Sequence, residues 1–138
     1  MGRVLGVDYG ESRVGLALSD PNKIIASPFC TISYKDKKFL KDKLEDIILE
    51  RNIDCLVIGL PIGLKGKDTK QTKVVKLFAK TIENLNLPIY FQDERFSSFS
   101  AQKALIAQNI KTGHNKDLID STAAAIFLQQ FLDSNKLQ

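Results

Sequence analysis

The chain has 138 residues, of which 43% are hydrophobic and 26% are charged. These proportions are those of a folded globular protein and exclude an intrinsically disordered chain. Lys and Arg number 20 against 16 Asp and Glu, and the net charge of +4 permits a polyanionic partner without requiring one. No apolar run approaches the roughly 18 residues of a membrane span, so we expect a cytoplasmic protein with no membrane contact.

In chain order, β-rich segments bounded by Gly, Pro, Asp or Ser predict five strands, at 3–8, 13–19, 24–33, 54–60 and 88–92. Apolar residues at helical spacing predict helices around 40–48, from Thr69 to Asn86, and at 98–109 and 117–133. This order predicts an α/β fold whose five-stranded mixed sheet begins as an antiparallel meander, continues with parallel strands and is flanked by helices. We expect residues 1–138 to form a single domain.

The cysteines, Cys30 and Cys55, lie in apolar segments 25 residues apart, which predicts reduced, unpaired thiols. With a single histidine, His114, and no CxxC spacing, the sequence argues against a zinc site.

The segment from Gly6 to Asp20 places Asp8 at the end of the first, apolar strand. A carboxylate at the end of a buried strand is costly unless a positive charge meets it. A divalent cation held between the protein and a phosphate would supply that charge. The alternative is an Asp-Tyr-Gly hairpin turn in which Asp8 is solvated.

Two later segments can bring further carboxylates to the same edge of the sheet. The fifth strand ends in Asp93, Glu94 and Arg95. The alternative for this segment is a polar strand exit in which Arg95 neutralises its acidic neighbours. Asp120 lies in the last helix, beside the alanines 123–125 that allow a helix to approach a sheet closely. Carboxylates converging from distant segments are what a two-metal phosphodiesterase site needs.

The same residues carry a resemblance over nearly the whole chain. The pattern G-x-D-x-G-x-x-R-x-G-x-A-x-S-D occupies 6–20, and three further motifs follow in order: Gly59-Leu60-Pro61 with Gly66, Asp93-Glu94-Arg95 with Ser97 and Ser98, and Asp120 with Ala123 and Ala124. In these motifs the chain resembles the YqgF family of Holliday-junction-resolvase-like proteins. Gly63 and Lys65 stand where the family usually carries an Asn and an Asp, which leaves the substrate contacts of that loop open.

The resemblance implies a ribonuclease H-like fold and an endonuclease site that uses Mg²⁺ or Mn²⁺, with two ions. By position, Asp8, Glu94 and Asp120 would be the catalytic metal ligands, and Asp93 is a further candidate ligand. The implied reaction is hydrolysis of phosphodiester bonds in structured RNA, foremost 5′-end processing of the 16S rRNA precursor in ribosome biogenesis, in pre-ribosomal particles.

Basic residues near these motifs are candidates for nucleic-acid contacts. Arg13 and Arg95 adjoin the acidic motifs, and a guanidinium can grip a phosphate with two hydrogen bonds. The remaining candidates are Lys65, Lys67, Lys70 and Lys116. The alternative for the lysines is a solvated helix face, and Tyr9 could either stack on a base or pack in the core.

Other functions stay open at this point. A related DNA nuclease would resolve four-way junctions in recombination and repair and would need a homodimer to cut two strands, whereas an RNA nuclease could act as a monomer. A binding factor without catalysis would not need clustered negative charge facing phosphates. An actin-like or sugar-kinase ATPase also uses D-x-G after a strand, but it needs a second domain for which 138 residues leave no room.

Overall fold

The computed structural model describes residues 2–63, 66–94 and 116–134. The strands are β1 (Arg3–Tyr9), β2 (Arg13–Ser19), β3 (Ala26–Ser33), β4 (Ile53–Leu60) and β5 (Ile89–Asp93). The helices are α1 (Lys37–Glu50), α2 (Lys70–Thr81) and α3 (Lys116–Asp133), with a 3₁₀ turn at Glu83–Leu85. The helix predicted at 98–109 and the residues Lys65, Arg95 and His114 lie outside the described residues.

The five strands form one mixed sheet in the order β3-β2-β1-β4-β5. The first three strands pair antiparallel, while β4 pairs parallel with β1 and β5 pairs parallel with β4. This is the predicted meander followed by parallel strands. The carboxyl ends of β1, β4 and β5 therefore lie at the same edge of the sheet, which we call the carboxyl edge.

Different helices cover the two faces of the sheet. On one face α1 and α2 pack on β1, β2 and β4, and the core there includes Leu5, Val7, Leu16, Leu40, Leu44, Leu56, Ile58, Val75 and Phe78. On the other face α3 packs on Val4, Ala17, Cys55 and Val57 through Ala124, Phe127, Leu128 and Phe131. Because side chains alternate along a strand, Asp8 shares the α3 face with Val4 and Gly6.

Helix α3 lies unusually close to the sheet because small residues meet at the contact. Ala123 and Ala124 are fully or almost fully buried, as the alanine run predicted. A Cβ atom on Gly15 of β2 would overlap the backbone carbonyl of Asp120. Glycine at position 15 is therefore what permits the first turns of α3 to rest on β2 beside the carboxyl edge.

Two predicted boundaries are wrong by a few residues, for local reasons. The third strand begins at Ala26 and not at 24, because the backbone N–H groups of Ile24 and Ile25 donate to the Asp20 carboxylate, at 2.7 and 2.9 Å. The second helix ends at Thr81, and the chain continues as the 3₁₀ turn to Asn86, whose φ of 61° stops the helical path.

Both cysteines are free, as predicted. Within residues 2–63, 66–94 and 116–134, no helix combines the length and the hydropathy needed to cross a membrane.

Candidate active site

Asp8 occupies the penultimate position of the central strand β1 at the carboxyl edge. It is half-buried and pairs across the ladder with Gly15 of β2. The apolar strand Val4–Val7 is buried in the sheet and brings Asp8 to its end, so the solvated-turn alternative is wrong.

Glu94 reaches the same place from β5, one residue beyond the strand. Its backbone N–H donates to the carbonyl of Leu60 at 3.2 Å, which continues the parallel pairing and fixes the position of the residue beside the end of β4. A Cβ atom on Gly59 would overlap both a carboxylate oxygen of Glu94 and the ring of Phe127. Gly59 therefore provides the space in which the Glu94 side chain lies, between β4 and α3.

The side chains of Asp8 and Glu94 are hydrogen-bonded to each other. Burial, followed by repulsion from Asp8, raises the pKa of Glu94 to about 8. Burial also raises the pKa of Asp8, to about 6, although the hydrogen bond from Glu94 acts in the opposite direction. Both pKa values are raised, so the pair retains a proton at a pH at which isolated carboxyl groups are ionised. The pair is thus a partly buried acidic site that holds one negative charge and one proton near neutral pH.

Asp120 projects from the second turn of α3 and adds a third carboxylate. Its negative charge contributes to the raised pKa of Asp8, which shows that the two groups are close. Its Oδ2 accepts a hydrogen bond of 2.5 Å from Nε of Arg13, in a partly exposed ion pair. Asp8, Arg13 and Asp120 line a common pocket of about 130 Å³ at the β1–β2 turn.

These residues could hold a divalent cation. Carboxylate oxygens are the ligands that Mg²⁺ and Mn²⁺ prefer. A partly buried pair of carboxyl groups retains a proton because too little positive charge lies near it to balance two ionised carboxylates. Among the side chains that the structure describes, no three His, Cys, Asp or Glu residues converge as a ready metal-binding group, and Asp120 is paired with Arg13. The donor set therefore fits a cation at Asp8 and Glu94, with Asp120 beside it.

The other predicted site residues are distributed around this edge. Asp93 ends β5 opposite Leu60 and makes the smallest contribution to the raised pKa of Glu94. Lys67 and Lys70 are exposed, after β4 and at the start of α2. Lys65 and Arg95 lie outside the described residues, as does the side chain of Lys116.

Tyr9 does not serve as a base-stacking platform. It is 6% exposed, and its ring stacks on Phe78 with 4.0 Å between the ring centroids. The packing alternative for this residue is therefore correct.

The sequence analysis did not predict that Gly59 makes room for the Glu94 side chain. In the sequence this glycine is only one member of the Gly59-Leu60-Pro61 motif, and nothing there indicates its contact with Glu94.

The sequence comparison decides the family. The family model described as "RuvX: Holliday junction resolvase" matches residues 2–134. The chain belongs to the RuvX family. Relatives named "Putative pre-16S rRNA nuclease" include the protein of Dictyoglomus turgidum, at 40% identity over 98% of this chain and 96% of that one. The protein of a Roseiflexus species with the same name is 37% identical, with 98% and 96% covered. The prediction of a nuclease of the Holliday-junction-resolvase-like family is confirmed.

Solved structures support the fold of this RuvX family member. The RuvC of T. thermophilus, in complex with a Holliday junction substrate, superposes with a TM-score of 0.61 at 12% identity, covering 97% of this chain and 95% of that one. The fowlpox virus resolvase, also in complex with Holliday junction DNA, gives a TM-score of 0.59 at 12% identity, with 96% and 97% covered. The predicted ribonuclease H-like fold is confirmed.

Proposed function

We propose that the protein is a divalent-metal-dependent endonuclease that hydrolyses phosphodiester bonds in structured RNA. The observation that carries the proposal is the convergence of Asp8, Glu94 and Asp120 on the carboxyl edge, from β1, the end of β5 and α3. A site that only bound nucleic acid would gain nothing from burying negative charge next to phosphates. The proposed cofactor is Mg²⁺ or Mn²⁺, as a pair of ions, and residues 1–138 would act as one nuclease domain.

In this proposal each residue has a distinct role. A bound divalent cation would polarise the phosphodiester and lower the pKa of a water molecule at the site. Asp8 and Glu94 would hold that cation after releasing their shared proton, and Asp120 would complete the acidic site. Arg13 orients Asp120 through their 2.5 Å contact and places a positive charge where a phosphate would approach.

The proposed substrate is the 16S rRNA precursor, processed at its 5′ end in cytoplasmic pre-ribosomal particles. The names of relatives that are 37–40% identical over almost the whole chain support this choice. The second candidate is a four-way DNA junction, which the description of the family supports. A junction would require a homodimer, so that two strands are cut symmetrically, whereas a monomer suffices for RNA.

Cleavage assays on three substrates test this function. The purified protein is incubated with a 16S precursor transcript, a linear DNA duplex and a four-way junction, in Mg²⁺, Mn²⁺ or EDTA. We expect metal-dependent cleavage of the transcript, with Asp8→Asn at least about 100-fold slower, since loss of residues that merely support a metal ligand already costs 10–100-fold. Nucleic-acid binding by this variant should persist.

The matched control is Asp46→Asn, the same chemical change on the exposed surface of α1. It should cleave at the wild-type rate. If Asp8→Asn and wild type cleave at equal rates, the proposed active site is wrong. If only the four-way junction is cleaved, the substrate is DNA and not the rRNA precursor.

A further inference from the structure

A second groove begins at the catalytic pocket and runs toward the start of α1. Its volume is about 660 Å³, within the range of ligand clefts, about 300–1,000 Å³. It shares Ser12 and Arg13 with the acidic pocket and continues past Lys35 to Phe39. We call it the α1 groove. A chain molecule bound at the acidic pocket could therefore extend into the α1 groove without leaving the protein surface.

The floor of the α1 groove is fixed to the catalytic turn. The backbone N–H of Tyr34 donates to the carbonyl of Ser12 at 3.0 Å, and its phenolic hydroxyl donates to the carbonyl of Gly10 at 2.6 Å. The ring of Tyr34 is buried and lies 6.3 Å from that of Tyr9. The end of β3 and the β1–β2 turn thus form one rigid unit, and whatever binds in the groove is held in register with Asp8.

The chemistry of the groove suits a nucleic acid. Lys35 lines the groove, and Lys37 and Lys38 follow it in the first turn of α1. Asp36, which also lines the groove, already accepts a hydrogen bond from the backbone N–H of Lys38, at 3.0 Å, as the helix cap. Phe39, in the first turn of α1, leaves 44% of its surface exposed. The ammonium of Lys43 lies 5.6 Å from the centre of this ring, so positive charge accompanies the aromatic surface.

An exposed aromatic ring beside lysines is the arrangement with which proteins hold single-stranded nucleic acid, by stacking on bases and attracting phosphates. We infer that the α1 groove binds a single-stranded segment next to the scissile phosphate, with a base stacked on Phe39 and phosphates attracted by Lys35. A fully paired duplex could not offer an unstacked base to Phe39. The inference rests on the proposed function, because it takes the acidic pocket as the place of cleavage, and it adds a junction between paired and single-stranded segments as the preferred substrate.

A fluorescence titration tests the inference directly, because the chain contains no tryptophan. Phe39→Trp is prepared in an Asp8→Asn background, so that nucleic acid is bound but not cut in Mg²⁺. Leu49→Trp, near the other end of α1 and 76% exposed, is the matched control. An RNA duplex with a single-stranded flank should quench the fluorescence of the tryptophan at position 39, and a blunt RNA duplex should quench it little. Neither RNA should quench the tryptophan at position 49 appreciably.

Affinities then measure the contribution of the ring. Phe39→Ala should weaken binding of the flanked duplex by about 5- to 150-fold, the range of one stacked base, and leave the blunt duplex unchanged. Phe39→Tyr should retain the affinity and Leu49→Ala should have no effect. An equal loss for both duplexes, or no loss for either, would overturn the inference and assign the ring to another contact, such as a protein surface.

The two proposals fail in distinguishable ways. If the wild-type protein cleaves RNA and Phe39→Ala binds the flanked duplex with wild-type affinity, the inference about the α1 groove is wrong and the proposed nuclease function stands. If binding of the flanked RNA depends on Phe39 but no metal-dependent cleavage occurs, the inference about the α1 groove stands and the proposed function is wrong. Absence of nucleic-acid binding by every variant would overturn both.

Discussion

At the scale of single residues, the hydrogen bond between Asp8 and Glu94 would couple the proposed metal binding to pH. Burial raises the pKa of both carboxyl groups, and their contact adds to the rise at Glu94 and opposes it at Asp8, so the pair retains a proton. A cation that binds both carboxylates must displace this proton, and its affinity should rise with pH. The pair also makes the metal-free fold sensitive to pH, since deprotonating Glu94 places a second negative charge beside Asp8.

The first prediction concerns the stability of the metal-free protein. The pKa of Glu94 is about 8 in the folded protein, above its ordinary value of 4.5, so the folded state binds the proton more tightly than the unfolded chain. The free energy of unfolding should therefore fall as the pH rises from about 5 to about 8. Asp8→Asn should flatten this decline and make the metal-free protein more stable than wild type at pH 8, by at least about 1 kcal/mol, roughly one pKa unit.

Urea unfolding in EDTA at several pH values measures the effect, and Asp46→Asn controls for the loss of a surface carboxylate. Added Mg²⁺ should raise the melting temperature of wild type and not that of Asp8→Asn. If Asp8→Asn and wild type lose stability in parallel as the pH rises, the two carboxylates do not share a proton.

The sequence could predict which carboxylates reach the carboxyl edge, but not how they are paired. Asp8 and Glu94 each follow an apolar strand, and parallel strands bring their ends together, so hydrophobic patterning was sufficient. The partner of Asp120 is Arg13, 107 residues away, and this contact depends on how α3 docks on β2. Side-chain pairing of this kind arises from tertiary packing and leaves no local signal in the chain.

At the scale of elements, the position of α3 is set by the absence of a side chain at Gly15. A Cβ atom there would overlap the backbone carbonyl of Asp120, and a helix backbone cannot rotate away as a side chain can. The whole helix would have to shift from β2, and Asp120 would move with it. The glycine thus controls the distance between Asp120 and Asp8 although it has no functional group of its own.

Gly15→Ala is therefore expected to destabilise the protein by about 1–3 kcal/mol, as for other insertions into a packed contact. It should also slow cleavage, because Asp120 is carried away from Asp8. Urea unfolding and the transcript cleavage assay measure the two effects.

Gly63→Ala serves as the control for this substitution. Its added methyl group would meet the carbonyl of Lys67 at 3.2 Å and a methyl group of Thr69 at 3.3 Å, in a surface loop that can yield by a few tenths of an ångström. We expect a cost within about 1 kcal/mol there. Equal costs at Gly15 and Gly63 would contradict the close packing of α3.

The strands and helices were predictable because each has a clear hydrophobic pattern. The residues at which they begin and end were not predictable from that pattern. Ile24 and Ile25 are β-branched and apolar, which favours a strand, yet each is 61% exposed in the turn that Asp20 closes. The carboxylate of Asp20 takes the backbone donors that a strand would have offered to its neighbour. Competition of this kind between a side chain and the sheet for backbone donors depends on local geometry that residue types do not indicate.

At the scale of the whole molecule, positive charge is distributed over two surfaces that adjoin the carboxyl edge. One is the start of α1 at the α1 groove, with Lys35, Lys37 and Lys38, and the other is the described segment 66–80, with five lysines and one aspartate. Within the second, Lys76 is paired with Asp68 at 3.1 Å, whereas Lys67 and Lys70 are exposed on the loop and the start of α2. Such lysines bind phosphates by releasing counterions, and this contribution depends on salt.

Lys67→Gln and Lys70→Gln should each reduce the slope of log K against log salt concentration by about 1, with a uniform loss of affinity across sequences. Fluorescence anisotropy with a labelled RNA duplex between 50 and 200 mM salt, roughly the range over which such contacts lose most affinity, measures the slope. Lys41→Gln is the matched control, since Lys41 lines a separate cleft with Glu45 and Asn86. If the slope is unchanged in both variants, Lys67 and Lys70 make no phosphate contact and belong to a solvated surface.

The contact between Arg13 and Asp120 also has a consequence during synthesis of the protein. One partner lies in the second strand and the other in the last described helix, so the acidic pocket cannot close while α3 is still within the ribosome. The earlier strands can begin to pair before that, because the meander of β1, β2 and β3 is local in sequence. A nascent chain would thus carry Asp8 and Glu94 without Asp120 beside them, and the proposed nuclease would gain its complete site only once α3 has emerged and docked.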